Sequence, residues 1–309
     1  MRPRMIALFL LAATLPIGAQ PAPARAPDLE GIWNFSTLTP LERPSVFTGK
    51  ETISEDEARA YARALLQQSS HDRRDGSPDI DVARAVNDAW FDQGTSLMRV
   101  NGRYRTSLIV DPPDGHAPAL VADIRDKIAA SNRYSREHQA DGPESRDLQE
   151  RCLSFNAGPP ILPGPYNNFL QIMQFPGYVV IFTEMIHDAR IVPLGDTAPA
   201  RMPLLRWMGE PRGHYDNDAL VVDSRNFTPQ WGREWESKLH LTERFTRVDR
   251  ETLLYRFTID NPAVYTRPWT AELAMTRSDE QMFEYACHEG NRSLEDILRG
   301  ARAQENAPR

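Results

Sequence analysis

Within one short run, Glu184-Met-Ile-His-Asp-Ala-Arg-Ile191, the sequence places two carboxylates, an imidazole and a guanidinium. His187 has the only side-chain type that titrates near neutrality unaided. A neighbouring Glu184 or Asp188 would orient it as a general acid or base, and Arg190 would steady developing negative charge. These four residues form the predicted catalytic set. The plainer alternative is a rim ion pair of Asp188 with Arg190 beside a hydrogen-bonded core His187.

A second group offers ligand contacts. Tyr166-Asn167-Asn168 follows a proline-rich run, and a phenol with two amides can orient a polar ligand in a mostly apolar pocket. Asn is also a common turn cap. Glu243 falls in a row with Leu239, Leu241 and Phe245 when the segment is read as a strand. A carboxylate in such a row needs a partner or a raised pKa. The alternative is a solvated exterior charge, as for Glu272 and Glu284. His288 leaves the last predicted strand next to Cys287 and would face the same cavity if that cysteine is pinned. Cys152 and Cys287 are the only cysteines, and an even count suggests a disulfide. On the chain-entropy model such a long-range bridge stabilises by about 4–5 kcal/mol. The alternative is a nucleophilic or metal-bound Cys287 beside His288.

Other chemistries find no support. The seven histidines are spread singly, with no HExxH or HxH pattern, so no metal is expected. Convergence of His187, His240 and His288 in space is the one route to a metal site. No phosphate loop, dinucleotide fingerprint or GxSxG elbow is present, so no cofactor is expected. Trp207, Trp231, Trp235 and Trp269 suit either a cavity lining or the core. The formal charge is −7 with scattered Lys and Arg, which argues against nucleic acid as a partner and leaves a small-molecule ligand.

The N-terminus carries an export pattern. Arg2 and Arg4 precede an apolar run from Met5 to Ile17, and Gly18-Ala19-Gln20 supplies small residues for cleavage. The run is about 13 residues, whereas a spanning helix needs about 20. Residues 1–19 therefore read as a signal peptide, 20–28 as a flexible lead and 29–303 as one β-rich domain placed in the periplasm or secreted. No membrane span is expected after cleavage.

These side chains need a scaffold, and the patterning predicts antiparallel β structure. Gly31–Phe35 and Tyr104–Val110 read as strands, with helices over Ser54–Gln68 and Pro118–Ser131 between and after them. Ser54 and Glu57 form a capping-box pair for the first helix. Past the proline-rich run 158–165, short strands alternate with polar turns: 169–175, 178–186, 189–194, 204–215, 220–227, 239–248, 252–259, 269–276 and 281–287. The segment Tyr178–Asp188 is apolar in both alternating rows before turning polar, which suggests a strand running from core to cavity. A final helix is expected over Ser293–Arg299, stopped by Gly300. The predicted fold is mainly β: an antiparallel lipocalin-like barrel or strongly curved sheet with an N-terminal helical insertion and a C-terminal helix.

The segments Arg105–Gly115 (RTSLIVDPPDG), Gly164–Asn168 (GPYNN), Glu184–Ile191 (EMIHDARI), Leu220–Asp223 with Asn226-Phe227, Glu243–Arg247, Arg267–Glu272 (RPWTAE) and Tyr285–Asn291 (YACHEGN) together resemble a large family of exported bacterial proteins. The likeness spans residues 30–302. It implies one integral domain and supplies no catalytic residues. The sequence thus predicts an exported barrel that takes a small, partly apolar ligand, with acid/base chemistry such as elimination, isomerisation or hydrolysis. A ligand-binding protein without chemistry and an envelope protein with a filled barrel are the rival readings.

Overall fold

The computed structural model describes residues 26–84, 86–155, 158–195, 204–229 and 233–307. The predicted signal segment, most of the lead and Trp231 lie outside these residues. Strands β1 (Gly31–Asn34) and β2 (Thr52–Ile53) precede helices α1 (Glu55–Ser69) and α2 (Pro78–Ala83). Three short strands follow, β3 (Arg99–Val100), β4 (Arg103–Arg105) and β5 (Ile109–Asp111), then helix α3 (Ile124–Glu137). Next come β6 (Phe169–Phe175), β7 (Tyr178–Thr183), β8 (Ala189–Pro193), β9 (Glu210–Asp216) and β10 (Ala219–Arg225). Strands β11 (His240–Arg247), β12 (Thr252–Asp260) and β13 (Trp269–Ser278) and helix α4 (Ser293–Glu305) complete the order.

Ten strands form one antiparallel sheet in the order β8-β7-β6-β1-β13-β12-β11-β10-β9, with β5 also on β13, and β2-β4-β3 form a small second sheet. The mainly β, antiparallel expectation holds, as does the helical segment between β2 and β6. The closed barrel does not: the ladder has two ends, β8 and β9. These ends touch through one parallel bridge, Leu194 with Gly213, where Gly195 N donates to Gly213 O at 3.1 Å. Gly213 is needed there, because a Cβ would sit 2.7 Å from Val192 Cγ1.

Period-two alternation explains the core. Leu170 and Ile172, Val179 and Ile181, Leu220 and Val222, Leu241 and Phe245, and Tyr255 and Phe257 are all buried in one cluster. Turn chemistry sets several registers. Asp216 pairs with Ala219, leaving Asn217-Asp218 as a two-residue turn with Asn217 at φ 54°. The capping box is present, with Ser54 Oγ accepting from Glu57 N and the Glu57 carboxylate accepting from Ser54 N.

Other elements depart from expectation for identifiable reasons. The 281–287 segment is not a strand. Strand β13 already has β12 on one side and β1 and β5 on the other, so no edge is left for it. Strand β7 stops at Thr183, and 185–187 is a single 3-10 turn. Its two apolar rows arise because the outer face is apolar too: Val180 pairs with Met173 and Ile191, not with a cavity. The predicted strand 104–110 splits into β4 and β5, on different sheets. Helix α3 starts late because residues 119–121 bond instead to Thr266 and Val264. Helix α4 runs through Gly300; the exposed glycine costs about 1 kcal/mol, which the flanking turns tolerate.

Inside the sheet lies a polar bolt. Arg190 of β8 grips Glu243 of β11 through both terminal nitrogens, with Nη1 to Oε1 at 3.1 Å. Glu243 is 0% and Arg190 7% exposed. Tyr255 donates its hydroxyl to Glu243 Oε1 at 2.8 Å and accepts from Ile161 N at 3.0 Å, tying the proline-rich segment to the core. Burial, then the Glu243 charge, raises the Tyr255 hydroxyl well above its ordinary value, so it stays a neutral donor. Tyr255→Phe orphans the Ile161 N–H and removes one Glu243 partner. It should cost about 1–3 kcal/mol in urea unfolding and speed proteolysis near residue 161; an unchanged midpoint would contradict this role.

Candidate functional site

The functional candidates gather where β7 turns into β8. The chain leaves β7 at Glu184 and reverses through Ile186 at φ 62° and His187 at φ 45°. Left-handed backbone is costly for a β-branched residue, about 1–3 kcal/mol, so packing must impose it. The Ile186 and Met185 side chains are buried and supply that packing. The reversal leaves the His187 side chain exposed.

Glu184 is buried, and Phe283 N donates to its Oε1 at 2.8 Å. The Asn167 side chain also bonds it. Burial pushes the Glu184 carboxyl above its ordinary value, the Phe283 and Asn167 bonds pull it down, and the nearby Asp92 charge pushes it up. Asp92 itself is raised by burial and by Glu280. Asp188 is raised by burial, against the Ala189 N–H and the charges of His187 and Arg190. Carboxyls held above their usual range keep a proton to higher pH than exposed carboxyls do.

His187 Nδ1 lies 2.7 Å from the carbonyl oxygen of Tyr285. A carbonyl only accepts, so Nδ1 carries a proton and donates it to Tyr285 O. The orienting partner is therefore a backbone carbonyl rather than Glu184 or Asp188. The His288 ring stands edge-on to His187, centroids 6.1 Å apart. Tyr166 accepts from Gln149 Nε2 at 3.3 Å and bonds Tyr285, whose hydroxyl is raised by burial and by Tyr166. A cleft of about 550 Å³ opens beside them, lined by Asp147, Gln149, Glu150, Tyr285, Cys287 and Asn291 among others.

The segment carrying Phe283, Tyr285 and His288 is held by the Cys152–Cys287 disulfide, Cα to Cα 5.8 Å. The bridge expected from the cysteine count is thus present, and Cys287 is neither a nucleophile nor a metal ligand. Cys152 lies in the turn 148–152 that also contains Gln149, with Cys152 N donating to Gln149 O at 3.0 Å, so the bridge ties together both chain segments that line the cleft.

Of the predicted residues, Glu184, His187, Asp188, Tyr166, Asn167 and His288 come together at this rim. Asn168 is close by but fully committed: its amide holds Gly164 and the Asp92 carbonyl. Arg190 and Glu243 lie in the interior, bound to each other. His240 sits elsewhere, against Asp223 at 2.8 Å and Arg225 at 3.1 Å. No group of three or more potential metal-binding side chains occurs among the described residues. Trp207 lies under Arg151 at 5.6 Å, and Trp269 packs in the core. Sequence reasoning missed Gln149, Tyr285 and Asp92. Tyr285 lies in the YACHEGN segment; Asp92 carries no local signal.

No protein-family model matches the chain, and none of the curated proteins matches it. Among the described residues no helix is long and apolar enough to cross a membrane.

A raised Glu184 carboxyl means that the folded chain holds this proton more tightly than the unfolded one. Its contribution favours folding below the ordinary carboxyl value and is lost as pH rises through that value towards the folded one. Glu184→Gln keeps an acceptor for Phe283 N–H but removes the titration. The melting temperature of the variant, minus that of the wild type, should rise as pH rises above the ordinary carboxyl value of about 4. A pH-independent difference, or one that falls, would contradict the assignment.

Proposed function

We propose that this protein is an exported handler of a small, partly apolar molecule, and that the molecule meets the protein at the rim around His187. Acid/base chemistry through His187 Nε2 is the activity this reading assigns. The observation that carries it is an exposed histidine whose Nδ1–H is held by the Tyr285 carbonyl, set beside raised carboxyls and a phenol pair of which Tyr285 lines a cleft. Nε2 then serves as a base toward the ligand, Asp188 favours the protonated imidazole that results, and the Tyr166–Tyr285 pair with Gln149 orients the ligand's polar end. A ligand enclosed in a lipocalin-like cavity is not part of this reading, because core side chains and the Arg190–Glu243 bolt occupy the interior.

Three further points support it. The segments behind the resemblance to exported bacterial proteins, GPYNN, EMIHDARI and YACHEGN, meet at this one place. The disulfide suits an oxidising compartment such as the periplasm, and the basic-then-apolar N-terminus suits export. The filled interior favours one alternative, a structural envelope protein, in which the rim network only fastens the 281–291 segment.

The two readings separate on one residue. Purified mature protein screened by mass spectrometry against mixed small metabolites should retain or convert at least one of them. His187→Ala should lower turnover by about 10²–10⁴-fold while affinity changes little, the size expected of a lost general acid/base. Binding lost with no turnover at any stage would favour a carrier; no retained metabolite and no change in His187→Ala would favour the envelope reading.

A further inference from the structure

We infer that Arg43, clamped by Thr106 and Gly115, is a binding site for a small oxyanion group, a carboxylate or a phosphate. The site shares no residue with the rim around His187 and does not depend on the function proposed there. It draws on the Arg105–Gly115 segment, which the rim leaves unused. Two arginines are buried among the described residues, Arg43 and Arg190. Arg190 is met by Glu243 through both terminal nitrogens. Arg43 is 5% exposed, and its side-chain hydrogen bond runs from Nε to Thr106 Oγ1 at 3.1 Å. Among the described residues, no carboxylate or other acceptor meets its terminal nitrogens.

A guanidinium stays charged inside proteins, and a buried charge is destabilising unless a counter-charge meets it. The carboxylates nearest along the chain are engaged elsewhere. Glu42 accepts from Ala117 N, Asp114 accepts from His116 N, and Glu51 pairs with Arg105. The described chain thus supplies no counter-charge, and one is drawn from solution. The guanidinium is within reach of it. The sealed side-chain nitrogens and oxygens without a partner are, among the described residues, Arg190 Nε, Ser224 Oγ and Trp269 Nε1. The terminal nitrogens of Arg43 are outside this set although they have no partner, so they touch the surface.

The side chain is also held in place. The Thr106 hydroxyl donates to Lys50 O at 2.6 Å and so accepts from Arg43 Nε, leaving Nη1 and Nη2 as the edge without a partner. Arg43 N donates to Gly115 O at 2.9 Å. Gly115 has φ 77°, and a Cβ there would stand 2.9 Å from Arg43 Cβ, 3.0 Å from Arg43 Nε and 2.6 Å from Ser107 Oγ. Only glycine allows this approach of backbone to guanidinium. A planar edge with two parallel N–H groups matches two oxygens of one carboxylate or phosphate, which is the geometry that favours arginine over lysine for such groups.

The test is side-chain nitrogen-15 spectroscopy of the mature, disulfide-bonded protein at constant ionic strength. Inorganic phosphate is added in one series and acetate in another. The Arg43 guanidinium signals should shift and saturate in at least one series, while those of Arg190, already paired, stay in place. The series that saturates at lower concentration identifies the class of oxyanion. Thermal unfolding gives a second reading. The better anion, at ten times its dissociation constant, should lower the wild-type unfolding equilibrium constant by about tenfold more than that of Arg43→Gln. The variant is needed because phosphate also strengthens burial in general. Arg43 signals that do not move in either series up to about 100 mM, or equal stabilisation of wild type and Arg43→Gln, would overturn the inference. If Arg43→Gln does not fold, the wild-type spectra decide by themselves.

Discussion

The Arg190–Glu243 ion pair is the constraint on which the architecture turns. It spans the interior from β8, at one end of the ladder, to β11, near the other. Taking both charges out of water costs several kcal/mol per ion, offset only by close two-point geometry and by extra hydrogen bonds. Tyr255 supplies one of those bonds and passes the connection on to Ile161 N. The pair therefore brings the ladder's ends into register, fills the space a ligand would need, and anchors the proline-rich segment that leads to Tyr166. A buried pair of this kind is weak evidence of added stability, but it is a strong determinant of which strands face one another.

With the interior filled by core side chains, the proposed chemistry is assigned to the rim. The β7–β8 reversal spends backbone strain at Ile186 and His187 to turn an imidazole outward, and the 281–291 segment meets it from the other side. Ties that hold that segment include Phe283 N on Glu184, the Tyr285 carbonyl on His187, Cys287 on Cys152 and Asn291 Nδ2 on Glu150 O. The first two ties are made by the very side chains that carry the proposed proton chemistry. Positioning and reactivity are thus shared, and loosening the segment would alter the protonation of Glu184 and the tautomer of His187 together.

Much of this was legible in the sequence wherever the determining interactions are local. Asn217-Asp218 sets a hairpin by its own backbone preference, and Ser54 with Glu57 sets a helix start. Glu243 in an apolar row was readable as a carboxylate in need of a partner, but the partner was not, since Arg190 lies 53 positions away and was read as a member of the catalytic set, with a rim ion pair to Asp188 as the alternative. The β7–β8 reversal was invisible because neither Ile186 nor His187 is a residue that signals left-handed backbone; tertiary packing alone imposes it. The segment 281–287 looked like a strand from composition, and only the full pairing of β13 shows why it cannot be one. Asp92 joined the site solely through the fold.

The central claim, that one buried ion pair ties β8 to β11 across the interior and fills the space a ligand would need, is tested most directly by a double-mutant cycle in denaturant. Arg190→Met and Glu243→Leu should each cost about 3–5 kcal/mol, because each leaves a buried charge alone, while the double variant should cost far less than their sum. Additive losses, or single variants within about 0.5 kcal/mol of the wild type, would show that the two side chains do not meet and that the interior is organised in some other way.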